Sequence, residues 1–194
     1  MHVRRTYGFS PTFFLVVINL AVYIYTSFLG HNFIFTADSV LEVYGQYGYA
    51  VFHYGWWWQL ITSMFVHVDI VHLASNTFFL LIFGLRAEEL FTDTEYYTVY
   101  LASGLIGNLL SLFLPPLTVS AGASGAIFGL FGAVIVYLRK VVGRSVMGAL
   151  LFAFMFLLIT VSAGTNILAH FGGLVAGLGI GYWLAKNRKI LMVY

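Results

Sequence analysis

All nine Lys and Arg residues of this 194-residue chain fall into four clusters: Arg4 and Arg5; Arg86; Arg139, Lys140 and Arg144; Lys186, Arg188 and Lys189. The stretches between them are long and apolar. Cations flanking membrane spans stay on the cytoplasmic side, so four cytoplasmic segments enclose three hairpins, and therefore six spans. Each gap has room for two helices of about 20 residues, the length that crosses a hydrocarbon core of ~30 Å. The expected spans are roughly residues 11–29, 60–85, 95–114, 122–138, 145–162 and 165–185, with both termini cytoplasmic. The fold class is an all-α, polytopic membrane protein, a single domain over residues 1–194, and the cell membrane is the expected location.

Composition agrees with that reading. The chain is 61% hydrophobic and 8% charged, whereas soluble domains carry about 25% charged residues. The absence of cysteine excludes disulfides, thiolate metal sites and a cysteine nucleophile. A net charge of +2, with no basic patch outside the membrane flanks, points away from nucleic acid. Arg4 and Arg5 before an apolar run resemble a signal peptide, but the run from Pro11 to Leu29 is long enough to span and is expected to be retained. The first outer connection, about 30–59, is rich in Tyr, Trp and Gly. Its Trp56-Trp57-Trp58 cluster suits the headgroup level of a membrane. Pro115-Pro116 breaks the chain between the third and fourth spans.

A few polar residues inside the spans carry the chemistry. Ser124 opens the fourth span, His170 lies on the sixth, and His72 and Asn76 lie one turn apart on the second. Counting from the nearest inner cation, Ser124 is 15 residues from Arg139, His170 is 16 from Lys186, and His72 is 14 from Arg86. At about 1.5 Å per residue all three stand ~21–24 Å above the inner boundary, in one layer near the outer face. Polar groups at membrane depth are costly and tend to be functional. A serine hydroxyl needs a base to take its proton, and His170 is the candidate base because imidazole titrates near neutral pH. Gly173, Gly177 and Gly181 form a smooth stripe on the His170 face, and Gly125, Gly129 and Gly132 do the same on the fourth span; small residues let membrane helices approach closely. The Ser124 N–H, at a helix start, with His72 and Asn76 from the second span, would hold an oxyanion. No acid stands where a third triad member would, so the expected unit is a Ser–His dyad. Asp69, three residues before His72, is placed to orient it.

These residues resemble the rhomboid family of intramembrane serine proteases. Gly122-Ala123-Ser124-Gly125 is similar to the family's GxSG motif, and Ala169-His170-Phe171-Gly172-Gly173 to its AHxxG motif, extended by Gly177 to GxxxG. His72-Leu73-Ala74-Ser75-Asn76 is similar to HxxxN, and Gly84 with Glu88 to GxxxE. The resemblance implies a minimal six-helix protease that cleaves transmembrane protein substrates in the lipid bilayer without a cofactor. It also implies that Phe128 packs against the catalytic histidine and that His67 holds the first loop. Where the family often has Trp-Arg before the second helix this chain has Trp58-Gln59, so the loop's anchor does not follow from the resemblance.

Other readings of the same residues are packing for the glycine-flanked serine, an interhelical clamp for His72 with Asn76, and proton relay for His170. A scaffold that binds membrane clients without cutting them is the alternative function. Inactive relatives usually lack the serine or the histidine, and this chain has both. His67, Asp69 and His72 mimic a metal site, but His67 and His72 point ~140° apart on an ideal helix, so no metal is expected.

Overall fold

The computed structural model describes residues 10–143, 145, 147–148, 151–152, 155 and 166–188. The expected fifth span, 145–162, and the turn after it lie mostly outside the described residues. Long helices dominate: α1 (Pro11–Gly30), α5 (Ile70–Glu88), α6 (Asp93–Ser111), α7 (Ser124–Tyr137) and α8 (Ile167–Asn187). Between α1 and α5 lie three short helices, α2 (Asp38–Tyr44), α3 (Gly48–Tyr54) and α4 (Gln59–Thr62). Two-residue strands β1 (Gln46–Tyr47) and β2 (Val119–Ser120) pair antiparallel, Gln46 opposite Ser120 and Tyr47 opposite Val119.

Four helices among the described residues are long and apolar enough to cross a membrane: Pro11–Gly30, Ile70–Glu88, Ser124–Val141, where α7 runs on into a π-helical turn, and Ile167–Asn187. Helix α6 has 19 residues, but it opens on Asp93 and Glu95 and carries Ser103, Asn108 and Ser111 further along. Those three polar residues are buried inside the bundle.

Helix α7 is the central helix, with 12 of its 14 residues buried. It packs against α8, α6 and α5, and α1 lies outside against α5. The apolar residues of the peripheral helices face outward, including Phe13, Val17 and Phe28 on α1, Val71 and Phe78 on α5, and Phe171 and Trp183 on α8. In lipid this outward face needs no polar cover, and the helices associate by close packing. Glycine supplies that packing between α7 and α8. A Cβ on Gly173 would overlap the Gly125 carbonyl, one on Gly177 the Gly129 carbonyl, and one on Gly181 the Ala133 backbone. The matched order along both chains makes α7 and α8 parallel, with Ser124 and His170 at the same end.

At the far end, polar groups lock the helices. The Glu88 carboxylate accepts from Ser10 Oγ at 2.5 Å and from the Thr12 N–H at 2.7 Å, which fixes the start of α1. Gly84 makes room for this join, since a Cβ there would stand 2.6 Å from both Thr12 Oγ1 and the Tyr96 hydroxyl. Arg188 donates to Leu90 O at 2.6 Å, Tyr137 Oη at 2.8 Å and Glu95 Oε2 at 2.6 Å. Burial opposes the Arg188 charge, but Glu95 and Tyr137 beside it hold its pKa above the ordinary value.

The second span starts later than expected. Hydropathy predicts it at 60–85, but the helix begins at Ile70, and α4 ends at Thr62. Asp69 sets the start: its Oδ1 accepts the His72 N–H at 2.7 Å, an N-cap bond. Between α4 and α5, Met64 and Val66 are apolar because they are buried loop, at 1% and 2% exposure, so hydropathy alone counts them as span.

Candidate active site

The local backbone at Ser124 is set by the two residues before it. Gly122 has φ +131, and its N–H donates to Ser63 O at 2.9 Å. A side chain there would be strained, and its Cβ would stand 2.6 Å from the His72 ring. Gly122 therefore lets the chain turn tightly into α7 while His72 lies against its backbone. Ser124 is the first residue of α7, where the leading amides have no intrahelical acceptor and the helix dipole is positive.

His170 lies in the first turn of α8, 4% exposed. Its Nε2 is 2.8 Å from Ser124 Oγ. With the ring proton on Nδ1, the Ser124 hydroxyl donates to Nε2, the arrangement in which His170 acts as base. Phe128, one turn below Ser124, stacks on the imidazole with ring centres 4.7 Å apart and planes 30° apart. The ring face fixes the imidazole plane, and Ser124 fixes its rotation. The His170 Nδ1 atom is buried and bonded to no described residue.

Helix α5 contributes from the other side. His72 is half-buried, with its ring 5.3 Å from that of His67 in an edge-to-face arrangement. Asn76 is 5% exposed, and its Nδ2 donates to His72 O at 2.9 Å. Thus Ser124, His170 and Phe128 are in direct contact, His72 reaches the turn at Gly122, and Asn76 is bonded within its own helix. Asp69 acts on the backbone of His72 through the N-cap bond. Among the described residues no group of three His, Asp or Glu side chains is placed to hold a metal ion.

The connection between α1 and α5 has anchors that the sequence reading missed. Gln59 is fully buried. Its Oε1 accepts from the Tyr47 N–H at 3.0 Å, and its Nε2 donates to Glu42 O at 2.7 Å and Val43 O at 3.1 Å. Gln46 Nε2 donates to Asn108 O at 2.8 Å, and Asn108 Nδ2 donates to Leu60 O and Ser63 Oγ at 2.8 and 2.9 Å. Thr36 Oγ1 donates to His67 O at 2.6 Å. A glutamine in an otherwise aromatic and apolar stretch is the signal that marks Gln59. His67 holds the connection through its carbonyl, and its ring is buried beneath.

This is a helical membrane protein with a serine and a histidine held in hydrogen-bond contact at one end of a glycine seam. The sequence profile of the rhomboid domain matches residues 54–187. The chain belongs to the rhomboid family. It is 29% identical to YdcA of Bacillus subtilis, over 91% of this chain and 89% of that protein. It is 32% identical to Rhomboid-like protein 11, chloroplastic, of Arabidopsis thaliana, over 90% of this chain and 65% of that protein. Against Rhomboid protease GluP of Bacillus subtilis the identity is 35%, over 65% of this chain and 24% of that protein. The chain thus spans most of YdcA and less than two thirds of the other two.

Proposed function

We propose that this protein is an intramembrane serine endopeptidase acting on transmembrane protein substrates through a Ser124–His170 dyad. In this reading all 194 residues form one domain of six spans, both termini are cytoplasmic, and the dyad lies near the outer face of the cell membrane. The 2.8 Å contact between Ser124 Oγ and His170 Nε2 carries the proposal. As the hydroxyl attacks a peptide carbonyl, its proton passes to Nε2. The imidazolium then returns that proton to the leaving amine, and water releases the acyl group by the same route in reverse.

The developing oxyanion is held by the Ser124 N–H and by His72 and Asn76. One such donor is worth about 3–4 kcal/mol in related chemistries. His72 is favourably placed against Gly122, two residues from the nucleophile. Phe128 keeps the imidazole in plane. The reading uses no cofactor, and the lipid bilayer delivers the substrate. The names of relatives such as Rhomboid protease GluP support protease chemistry for the family.

The test is cleavage of a transmembrane reporter by purified protein in detergent. Ser124→Ala and His170→Ala each abolish cleavage, and a fluorophosphonate probe labels Ser124 only when His170 is present. Full cleavage by either variant refutes the dyad. Binding of the reporter without cleavage by the wild type favours the alternative, a client-binding protein.

A further inference from the structure

We infer that Asn166 is a positioning residue that ties the segments carrying Ser124 and His170 to a common support on α6, and so sets the dyad spacing; the inference rests on the protease reading above. Asn166 stands four residues before His170, and its bonding partner Ser120 stands four residues before Ser124.

The Asn166 side chain uses both of its functional groups. Its Oδ1 accepts the Ala169 N–H at 2.9 Å, capping α8. Its Nδ2 donates to Ser120 Oγ at 2.9 Å and to Ser111 Oγ at 2.7 Å. Both amide hydrogens are therefore spent on side chains from two other segments, one leading into α7 and one at the end of α6. Ser111 in turn donates to Gly107 O at 2.9 Å, and a Cβ on Gly107 would stand 2.5 Å from Ala169 O. The Asn166 carbonyl accepts the His170 N–H at 3.3 Å.

A helix cap alone needs only the acceptor oxygen. The two donated bonds add nothing to the cap, and they join strand β2 and helix α6 to the start of α8. The glycine seam fixes how closely α7 and α8 approach, but parallel helices in contact can still slide along their axes. A bond between residues equally far ahead of Ser124 and His170 opposes that sliding. Catalytic groups lose rate steeply when displaced by about 1 Å, up to about 100-fold.

Asn166→Ser separates the two roles. Serine is a favoured N-cap residue whose oxygen accepts the Ala169 N–H, but it has no amide and too short a side chain to reach both Ser111 and Ser120, so the two donated bonds are lost. The expected result is a fall in kcat per titrated site of about tenfold or more, with KM within twofold of wild type. Labelling of Ser124 by a fluorophosphonate slows in parallel, and the melting temperature stays within a few degrees. The Ser111→Ala/Ser120→Ala double variant, which leaves Asn166 and its cap intact, lowers kcat in the same way. Adding Asn166→Ser to it costs little more, because the same bonds are lost. Wild-type kcat in Asn166→Ser or in the double variant overturns the inference while leaving the protease reading in place, and so does a fully additive triple variant. A wild-type protein that neither cleaves nor labels overturns the protease reading and this inference with it.

Discussion

Substituting Gly173 with alanine tests whether the glycine seam sets the dyad geometry. An alanine Cβ at this position would stand 2.7 Å from the Gly125 carbonyl carbon and nearer still to its oxygen. Ordinary carbon contacts begin at 3.4 Å, so relieving the carbon contact alone takes about 0.7 Å, and the nearer carbonyl oxygen forces α7 and α8 further apart than that. Neither partner can yield by rotating, because both are backbone. Gly173 lies less than one turn from His170, so the dyad takes up nearly the full displacement. The 2.8 Å bond between Ser124 and His170 then stretches beyond about 3.5 Å, past the outer edge of hydrogen bonding. General-base catalysis contributes about 10²–10⁴-fold, and Gly173→Ala is expected to lose about 100-fold in kcat. The assay is initial-rate cleavage of a fluorogenic transmembrane substrate in proteoliposomes, with size exclusion and thermal melting to establish folding. Gly179→Ala on the same helix is the control, since a Cβ there meets nothing within 4 Å, and it is expected to retain wild-type rates. A folded Gly173→Ala protein with more than half the wild-type rate, or an equal loss in Gly179→Ala, refutes the reasoning.

Gln59→Ala removes three part-buried hydrogen bonds, costing up to about 3 kcal/mol at about 1 kcal/mol each; the detergent-solubilised protein should melt several degrees lower, and an unchanged melting curve would deny Gln59 its anchoring role. Gly122→Ala forces a side chain into φ +131 and against the His72 ring; cleavage should fall at least about tenfold, with loss of Ser124 labelling as the parallel readout. Phe128→Leu removes the ring stacked on His170; kcat is expected to drop several-fold with KM unchanged, and a pure KM effect would place the ring in substrate binding instead.

The parts of this structure legible in the sequence are those written as periodic patterns. Glycines at 173, 177 and 181 and at 125, 129 and 132 announce two helices that touch along their backbones, because no other residue permits that approach. Among the described residues, the expected ends of the long helices lie within a few residues of those observed, the start of α5 excepted. The start of α5 was not legible: Met64 and Val66 are as apolar as span residues yet serve as buried loop. The anchors Gln59, Gln46 and Asn166 were missed for a different reason. Their partners include backbone groups and lone serine hydroxyls, and such partners leave no recurring side-chain pattern. Asn166 did carry a signal, an asparagine immediately before an apolar helix. The two-residue pairing of β1 with β2 is too short to register as alternation.

Helix α7, enclosed by its neighbours on nearly every side, is also apolar around its whole circumference. Such a segment is stable in lipid before any partner arrives, and association follows insertion. The hydroxyl at its tip meets the imidazole only after α8 has docked along the full seam. On the protease reading, a newly inserted chain therefore carries an idle serine, and proteolytic competence waits for α8 to dock.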